Sequence, residues 1–195
     1  MQQSMSLLQV IKSLIRLGRS EEVLVNRLFK ERIYKRGEYF LEEGKVCNKV
    51  GFVEQGIMRY YINDEGEEKN YDFAQEGQFI CDMESFAPQI PSRKTIQALE
   101  DSTVSVISYD DLQEFYSKLR YGDRFGRLII EQVFVKTLQD LNSFYTETPE
   151  ARYKKFLERH YDIEQRISQY HVASYLGVKP QSLSRIRKRI LSRKQ

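Results

Sequence analysis

Tryptophan is absent from this chain of 195 residues, and cysteine and histidine occur only twice each. Two cysteines as far apart as Cys47 and Cys81 make neither a disulfide framework nor a thiolate cluster. Reduced thiols in a cytoplasmic setting are expected. The histidines, His160 and His171, both lie near the C-terminus, so the N-terminal part lacks the several histidines that a metal-dependent β-barrel enzyme gathers. No metal site is expected. No apolar run is long enough to span a bilayer, and the N-terminal MQQSMSLLQVIKSLIRLGRS has no apolar stretch ending in a small-residue cleavage site. A membrane is therefore not among the expected partners. No segment pairs a nucleophile with a base, or two carboxylates, so the chain is not read as an enzyme. The last absence is the most informative: no acidic side chain occurs from Arg166 to Gln195.

That absence belongs to a wider division of charge. Residues 150–195 hold 12 Lys+Arg and 4 Asp+Glu, whereas residues 1–149 hold 19 and 24. An acidic body with a basic end is the electrostatic footprint of a nucleic-acid-binding protein. The basic end also carries helix-turn-helix spacing. Counting from Gln169, a small residue falls fifth (Ala173), where two crossing helices must touch, and a glycine falls ninth (Gly177), where the turn requires φ > 0. Val172, Leu176, Val178, Leu183 and Ile186 fill the expected buried positions. Gln169, Lys179, Gln181, Ser182, Ser184, Arg185, Lys188 and Arg189 are then the side chains left to read base edges and phosphates, from a recognition helix over 179–190. Arg187, Arg193 and Lys194 add basic charge nearby. Pro180 fits the first helical turn, where its missing N–H costs nothing.

Upstream the hydrophobic period changes twice. Residues 4–17 place Leu7, Leu8, Ile11, Leu14 and Ile15 at helical spacing, and Ser20 followed by Glu21 and Glu22 predicts a second, capped helix. From about residue 31, short β-prone runs are separated by glycines at 37, 44, 56, 66 and 77. They are Glu38–Leu41, Lys49–Val53, Ile57–Ile62, Lys69–Phe73, Thr95–Ala98 and Thr103–Ser108, with a hairpin at Asn63-Asp64-Glu65-Gly66. Such runs indicate an antiparallel sandwich or barrel, hence an α+β chain. Asp110 is the expected N-cap of the next helix. A long helix follows from about Arg124 to Tyr145, with Ile130, Phe134, Thr137, Leu141 and Phe144 at heptad-like spacing, a stripe broad enough for a dimer seam. Pro149 opens a helix over roughly 150–160, which leads through Tyr161–Arg166 into the helix-turn-helix. Three parts result: residues 1–122, 123–147 and 148–195.

Glycine-punctuated strands, then a long helix, then a helix-turn-helix: this order resembles the cyclic-AMP receptor/Fnr (Crp/Fnr) family of bacterial transcription regulators. The blocks that carry the resemblance are YKRGEYFLEEG, GFVEQGIMRYYINDEGEE and QEGQFICDMESF, together with the C-terminal motif. It implies an N-terminal β-roll of the cyclic-nucleotide-binding type, a helix that pairs two subunits, and a recognition helix for the major groove. The implied partners are double-stranded DNA, a second copy of the chain, RNA polymerase and a small-molecule effector. Family members usually follow the recognition helix with a β-hairpin wing, and this chain stops at Gln195 before one, so a minimal helical DNA-binding end is expected.

The input pocket departs from the family's cassette, in which a Gly-Glu pair and an Arg followed by a small residue hold the sugar and cyclic phosphate. Here Cys81 stands at the glycine, Asp82 at the glutamate and Ser92 at the arginine, with Arg93 one step later and therefore on the opposite face of an extended strand. Thr137 matches a base-contacting position on the long helix, beside apolar Leu138. A cyclic nucleotide is not the expected effector, and the effector is left unnamed. Iron–sulfur chemistry lacks its cysteines and haem its histidine ligand. Alternatives remain: a cyclic-nucleotide-responsive regulator using Asp82 and Arg93, or a ligand-binding signalling module whose basic end docks on a protein rather than DNA.

Overall fold

The computed structural model describes residues 5–160 and 162–192. Two helices open it, α1 (Leu7–Leu14) and α2 (Arg19–Leu28), burying Leu7, Ile11, Val25 and Leu28 on their inner faces. The cap of α2 differs from the sequence expectation. Gly18, not Ser20, is the N-cap, because the Glu21 carboxylate reaches back to accept from the Gly18 N–H at 2.8 Å. Ser4 lies outside the described residues.

Eight strands follow, all antiparallel in their pairing: β1 (Lys30–Tyr34), β2 (Tyr39–Leu41), β3 (Lys49–Gln55), β4 (Met58–Asp64), β5 (Glu67–Ala74), β6 (Phe79–Ile80), β7 (Thr95–Ala98) and β8 (Ser102–Ser108). They form two sheets, ordered β1-β8-β3-β6 and β2-β7-β4-β5. Phe52, Ile80, Ile96, Val104 and Ile107 close the core between them. The expected hairpin joins β4 to β5, with Asp64 paired to Glu67. Its two turn residues, Glu65 and Gly66, have φ of 53° and 89°, the mirror-image turn that matches strand twist. Neither β1 nor β6 was expected from the sequence. β1 is exposed along most of its length, so it shows no alternation, and β6 is only two residues long.

A short helix α3 (Met83–Phe86) follows β6, and α4 (Tyr109–Lys118) follows β8. The N-cap of α4 is Ser108 rather than Asp110: its hydroxyl accepts from the Asp111 N–H at 3.1 Å. The long helix α5 (Gly122–Thr146) buries only Gly122 and Phe125 fully, near its start. Among the described residues four more helices follow: α6 (Pro149–Arg159), α7 (Ile163–Arg166), α8 (Gln169–Tyr175) and α9 (Pro180–Ser192). Pro149 stands in the first turn of α6, and the capping Thr148 hydroxyl accepts from the Ala151 N–H at 3.2 Å. Their core, Tyr153, Phe156, Ile163, Val172, Ala173, Leu176, Leu183 and Ile186, is continuous with Ile57 and Phe73 of the strand domain. The C-terminal helices therefore pack on the β-domain instead of hanging free.

Candidate nucleic-acid interface

The helix-turn-helix forms at the expected residues. Ala173 is fully buried where α8 meets α9, and Leu183 and Ile186 anchor α9 against Val172 and Leu176. Gly177 makes the turn with φ +68°, a conformation that side-chain-bearing residues rarely adopt. On the outer side of α9, Gln181, Ser184, Arg185, Lys188 and Arg189 are exposed, as are Lys179 just before it and Gln169 at the start of α8, while Ser182 is half-buried. Among the described residues Lys179, Arg185 and Lys188 have no acidic partner, whereas Arg187 pairs with Glu164 at 2.9 Å and Arg189 with Glu150 at 3.1 Å. Arg193 and Lys194 lie outside the described residues. A face of unpaired cations and amide and hydroxyl groups can donate to phosphates and to base edges at once.

Two basic residues that sequence reasoning passed over hold this unit in place. Arg152 on α6 donates from Nη2 to the Leu176 carbonyl and from Nη1 to the Glu147 carbonyl, both at 2.8 Å. It thereby ties the turn of the motif to the end of α5. Arg166 ends α7 and bridges to the β-domain, to Glu76 at 2.6 Å and to Glu100, as well as to Asp162 at 3.1 Å. The partners that tie them across the fold, Leu176, Glu76 and Glu100, are remote in sequence, so local spacing does not reveal these links.

The docking itself runs through β4 and β5. Arg59, almost fully buried on β4, donates to Gln97 at 2.9 Å and to Glu68 at 2.6 Å, and stacks on Tyr61 at 4.1 Å. Its Nη1 also lies 3.4 Å from His171 Nδ1, which is 3.3 Å from the Asn70 amide. The Ser174 hydroxyl accepts from the Asn70 N–H and donates to the Glu68 carbonyl. His171 therefore faces the strand domain. It is a half-buried contact to the strand domain, and burial followed by the Arg59 charge lowers its pKa. His160 is fully buried, with Nδ1 3.0 Å from the Gln75 amide oxygen, and its pKa falls to about 4 through burial and the charges of Lys136 and Arg159.

In the cassette the structure joins Asp82 to Ser92. Both are buried, and the Ser92 hydroxyl donates to Asp82 at 2.7 Å. The cation that meets them is Lys94, 3.1 Å from Asp82 and 2.7 Å from Glu84. Arg93 is exposed and pairs with none of the described residues, and Thr137 is exposed on α5 with its hydroxyl donating to the Val133 carbonyl at 2.9 Å. Ser92 rather than a cation thus stands at the arginine position, and the nearest lysine, Lys94, is already paired with two carboxylates. Along α5, Ile130, Phe134, Thr137, Leu141 and Phe144 are all exposed, whereas Lys136 and Asp140 point back to Asp72 and Arg159.

The described residues thus combine a β-roll, a long helix with an open apolar face and a docked helix-turn-helix. Residues 31–118 match the cyclic nucleotide-binding domain family. Among solved structures the chain resembles a CooA variant from Carboxydothermus hydrogenoformans, at 18% identity and a TM-score of 0.73, covering 96% of this chain and 85% of that one. It also resembles FixK2 from Bradyrhizobium japonicum, at 17% identity and 0.69, covering 85% and 86%. The catabolite activator protein of Thermus thermophilus matches at 19% identity and 0.53, covering 91% and 85%. No curated protein sequence matches significantly. Residues 31–118 are thus a domain of the cyclic-nucleotide-binding type, and the chain has the fold of the Crp/Fnr transcription regulators. No helix among the described residues is long and apolar enough to cross a membrane.

Proposed function

We propose that the chain is a homodimeric DNA-binding transcription regulator of the cytoplasm, with a sensor unit (residues 1–122), a pairing helix (123–147) and a DNA-binding unit (148–195). The observation that carries this reading is α9: Leu183 and Ile186 fix its inner face, while Gln181, Ser184, Arg185 and Lys188 stand free on its outer face. Gln181 has the donor–acceptor pair that matches adenine, and Arg185 the fork that matches guanine. Pairing through Ile130, Phe134, Leu141 and Phe144 would bury an apolar stripe that a monomer leaves in water. A twofold dimer presents two α9 helices about one DNA turn, roughly 34 Å, apart, so the operator is an inverted repeat. Bound at a promoter, it acts on RNA polymerase. The roll answers to a small molecule other than a cyclic nucleotide, because Ser92 stands at the arginine position, Arg93 is exposed, and Lys94 is engaged by Asp82 and Glu84.

Selection of random duplexes on the purified protein tests the proposal. Enrichment of a palindrome is the expected result. Retention of every duplex alike, or none, would favour a module whose basic end docks on an acidic protein.

A further inference from the structure

The chain's only two cysteines, 34 residues apart in sequence, meet in the fold. β3 and β6 pair with Gly51 opposite Ile80, which brings the residues flanking those strands to one end of the sheet. Cys47 lies just before β3 and Cys81 just after β6, and their sulfurs are 3.9 Å apart. Cys47 is buried, whereas Cys81 is partly open to solvent. Both sit outside the hydrogen-bonded ladders, so their backbones can yield. A disulfide requires the sulfurs to approach to about 2.05 Å, a closure of roughly 2 Å by side-chain torsions and loop adjustment. No third acidic, histidine or cysteine side chain among the described residues joins them, so the pair is not a metal cluster.

The surroundings favour a shared proton. A thiol donates across the sulfur–sulfur contact, the Asp82 backbone N–H points at Cys47, and together these bring the Cys47 thiol down to about 7 against the opposing effect of burial. The second proton is held far more tightly, through its contact with the Cys47 sulfur and through burial. The lowered Cys47 and the raised Cys81 favour the thiolate on Cys47, and the more exposed Cys81 becomes the nucleophile as its proton passes to Cys47 across the contact.

We infer that Cys47 and Cys81 form a peroxide-reactive dithiol, a modification site in the sensor domain whose substrate is a hydroperoxide and whose product is an intramolecular disulfide. The Cys81 thiolate attacks the peroxide O–O bond. One oxygen becomes a sulfenic acid on sulfur and the other leaves as hydroxide or alkoxide, which takes up a proton. The Cys47 sulfur then attacks the sulfenic sulfur. The S–S bond forms, the S–O bond breaks, and the departing hydroxide leaves as water with the Cys47 proton. Two thiols lose two electrons in all, and the hydroperoxide gains them. The linkage also pulls on the output path, because the Cys81 N–H donates to the Tyr60 hydroxyl of β4 at 3.1 Å, and β4 carries Arg59.

Hydrogen peroxide added to the reduced full chain is the test, read by intact mass and by alkylation after denaturation. The expected product has lost the mass of two hydrogen atoms and both alkylatable thiols, runs as a single chain on a denaturing gel without reductant, yields a linked 47–81 peptide, and recovers both thiols with a dithiol reductant. C47S and C81S should not form the link, and the alanine variants at each position, checked for the native circular dichroism spectrum, repeat the result where a serine destabilises the core. Two alkylatable thiols after peroxide, a link between chains, or Cys81 carried on to sulfinic acid beside an intact Cys47 would overturn the inference. Since no DNA enters the assay, its failure leaves the DNA-binding proposal standing.

Discussion

Lowering the pH should loosen the C-terminal helices, and His160 sets the size of the effect. Its ring is fully buried between Phe73, 6.5 Å away, and Phe156, 5.1 Å away, with Gln75 on Nδ1 and no partner on Nε2. Protonation would add a proton to a nitrogen with nothing to accept from it, beside the cations Lys136 and Arg159, with Asp140 the one opposing charge. The folded pKa is about 4 against an ordinary 6.5. Between those values the unfolded chain binds the proton and the folded chain does not, so stability rises with pH across this window. The contribution is complete above about pH 6.5 and is lost as pH falls toward 4, amounting to about 3 kcal/mol. Carboxylates titrate in the same range, so the measurement compares the wild type with His160→Gln, in which their effects cancel. Urea denaturation at a series of pH values should show the difference in stability between the two proteins shifting by about 3 kcal/mol from neutral pH to pH 4. Parallel profiles, or a His160 proton resonance titrating near 6.5, would refute the reasoning.

At the recognition helix, Arg185→Ala should cost about 1–3 kcal/mol on the selected operator and relax preference at one base pair per half-site, measured by competition binding. Equal loss on random DNA would make Arg185 a phosphate contact only. Leu183, almost fully buried under α9, should cost about 2–5 kcal/mol on truncation to alanine, and an unchanged melting curve would contradict its placement. Phe134→Asp should convert the dimer to a monomer in sedimentation without unfolding it, because Phe134 is 61% exposed in the single chain. Millimolar cyclic AMP or cyclic GMP should give no binding heat in calorimetry, and a saturable signal would show that the Asp82–Lys94 pair opens to admit a phosphate.

What the sequence made legible was local. Ala173, Gly177, Leu183 and Ile186 could be assigned because a helix crossing demands a small residue, a left-handed turn and two inward positions at fixed offsets within twenty residues. The hairpin at Asn63–Gly66 was readable for the same reason, since its turn chemistry is carried by adjacent residues. What escaped depends on contacts between remote segments. The Ser92–Asp82 alignment located the cassette, yet the cation there is Lys94, because the chain between β6 and β7 presents Lys94 and leaves Arg93 outside. The contact of His171 escaped because nothing in α8 announces that its neighbour is a buried arginine on β4. Cys47 and Cys81 looked unrelated until strand pairing brought their loops together.

β4 connects the core of the roll directly to the helix-turn-helix, without a long relay. Successive residues of a strand face opposite sides of its sheet. Tyr60 packs in the roll's core and accepts from the Cys81 N–H, while Arg59, one residue earlier, reaches His171 of the helix-turn-helix at 3.4 Å. β5 repeats the connection beside it, with Asn70 against His171 and Ser174, and Asp72 paired with Lys136 of α5. A displacement of the segment that holds Cys81 and Asp82 therefore acts on the strand whose other face holds α8. Because α8 and α9 share one buried core through Val172, Leu176 and Leu183, α9 cannot keep its position if α8 moves. The contact between the units joins an apolar seam, Phe73 against Phe156 and Tyr175, to the polar links of Arg59, Asn70 and Arg166, so a shift of β4 or β5 is carried into α8 rather than absorbed between them.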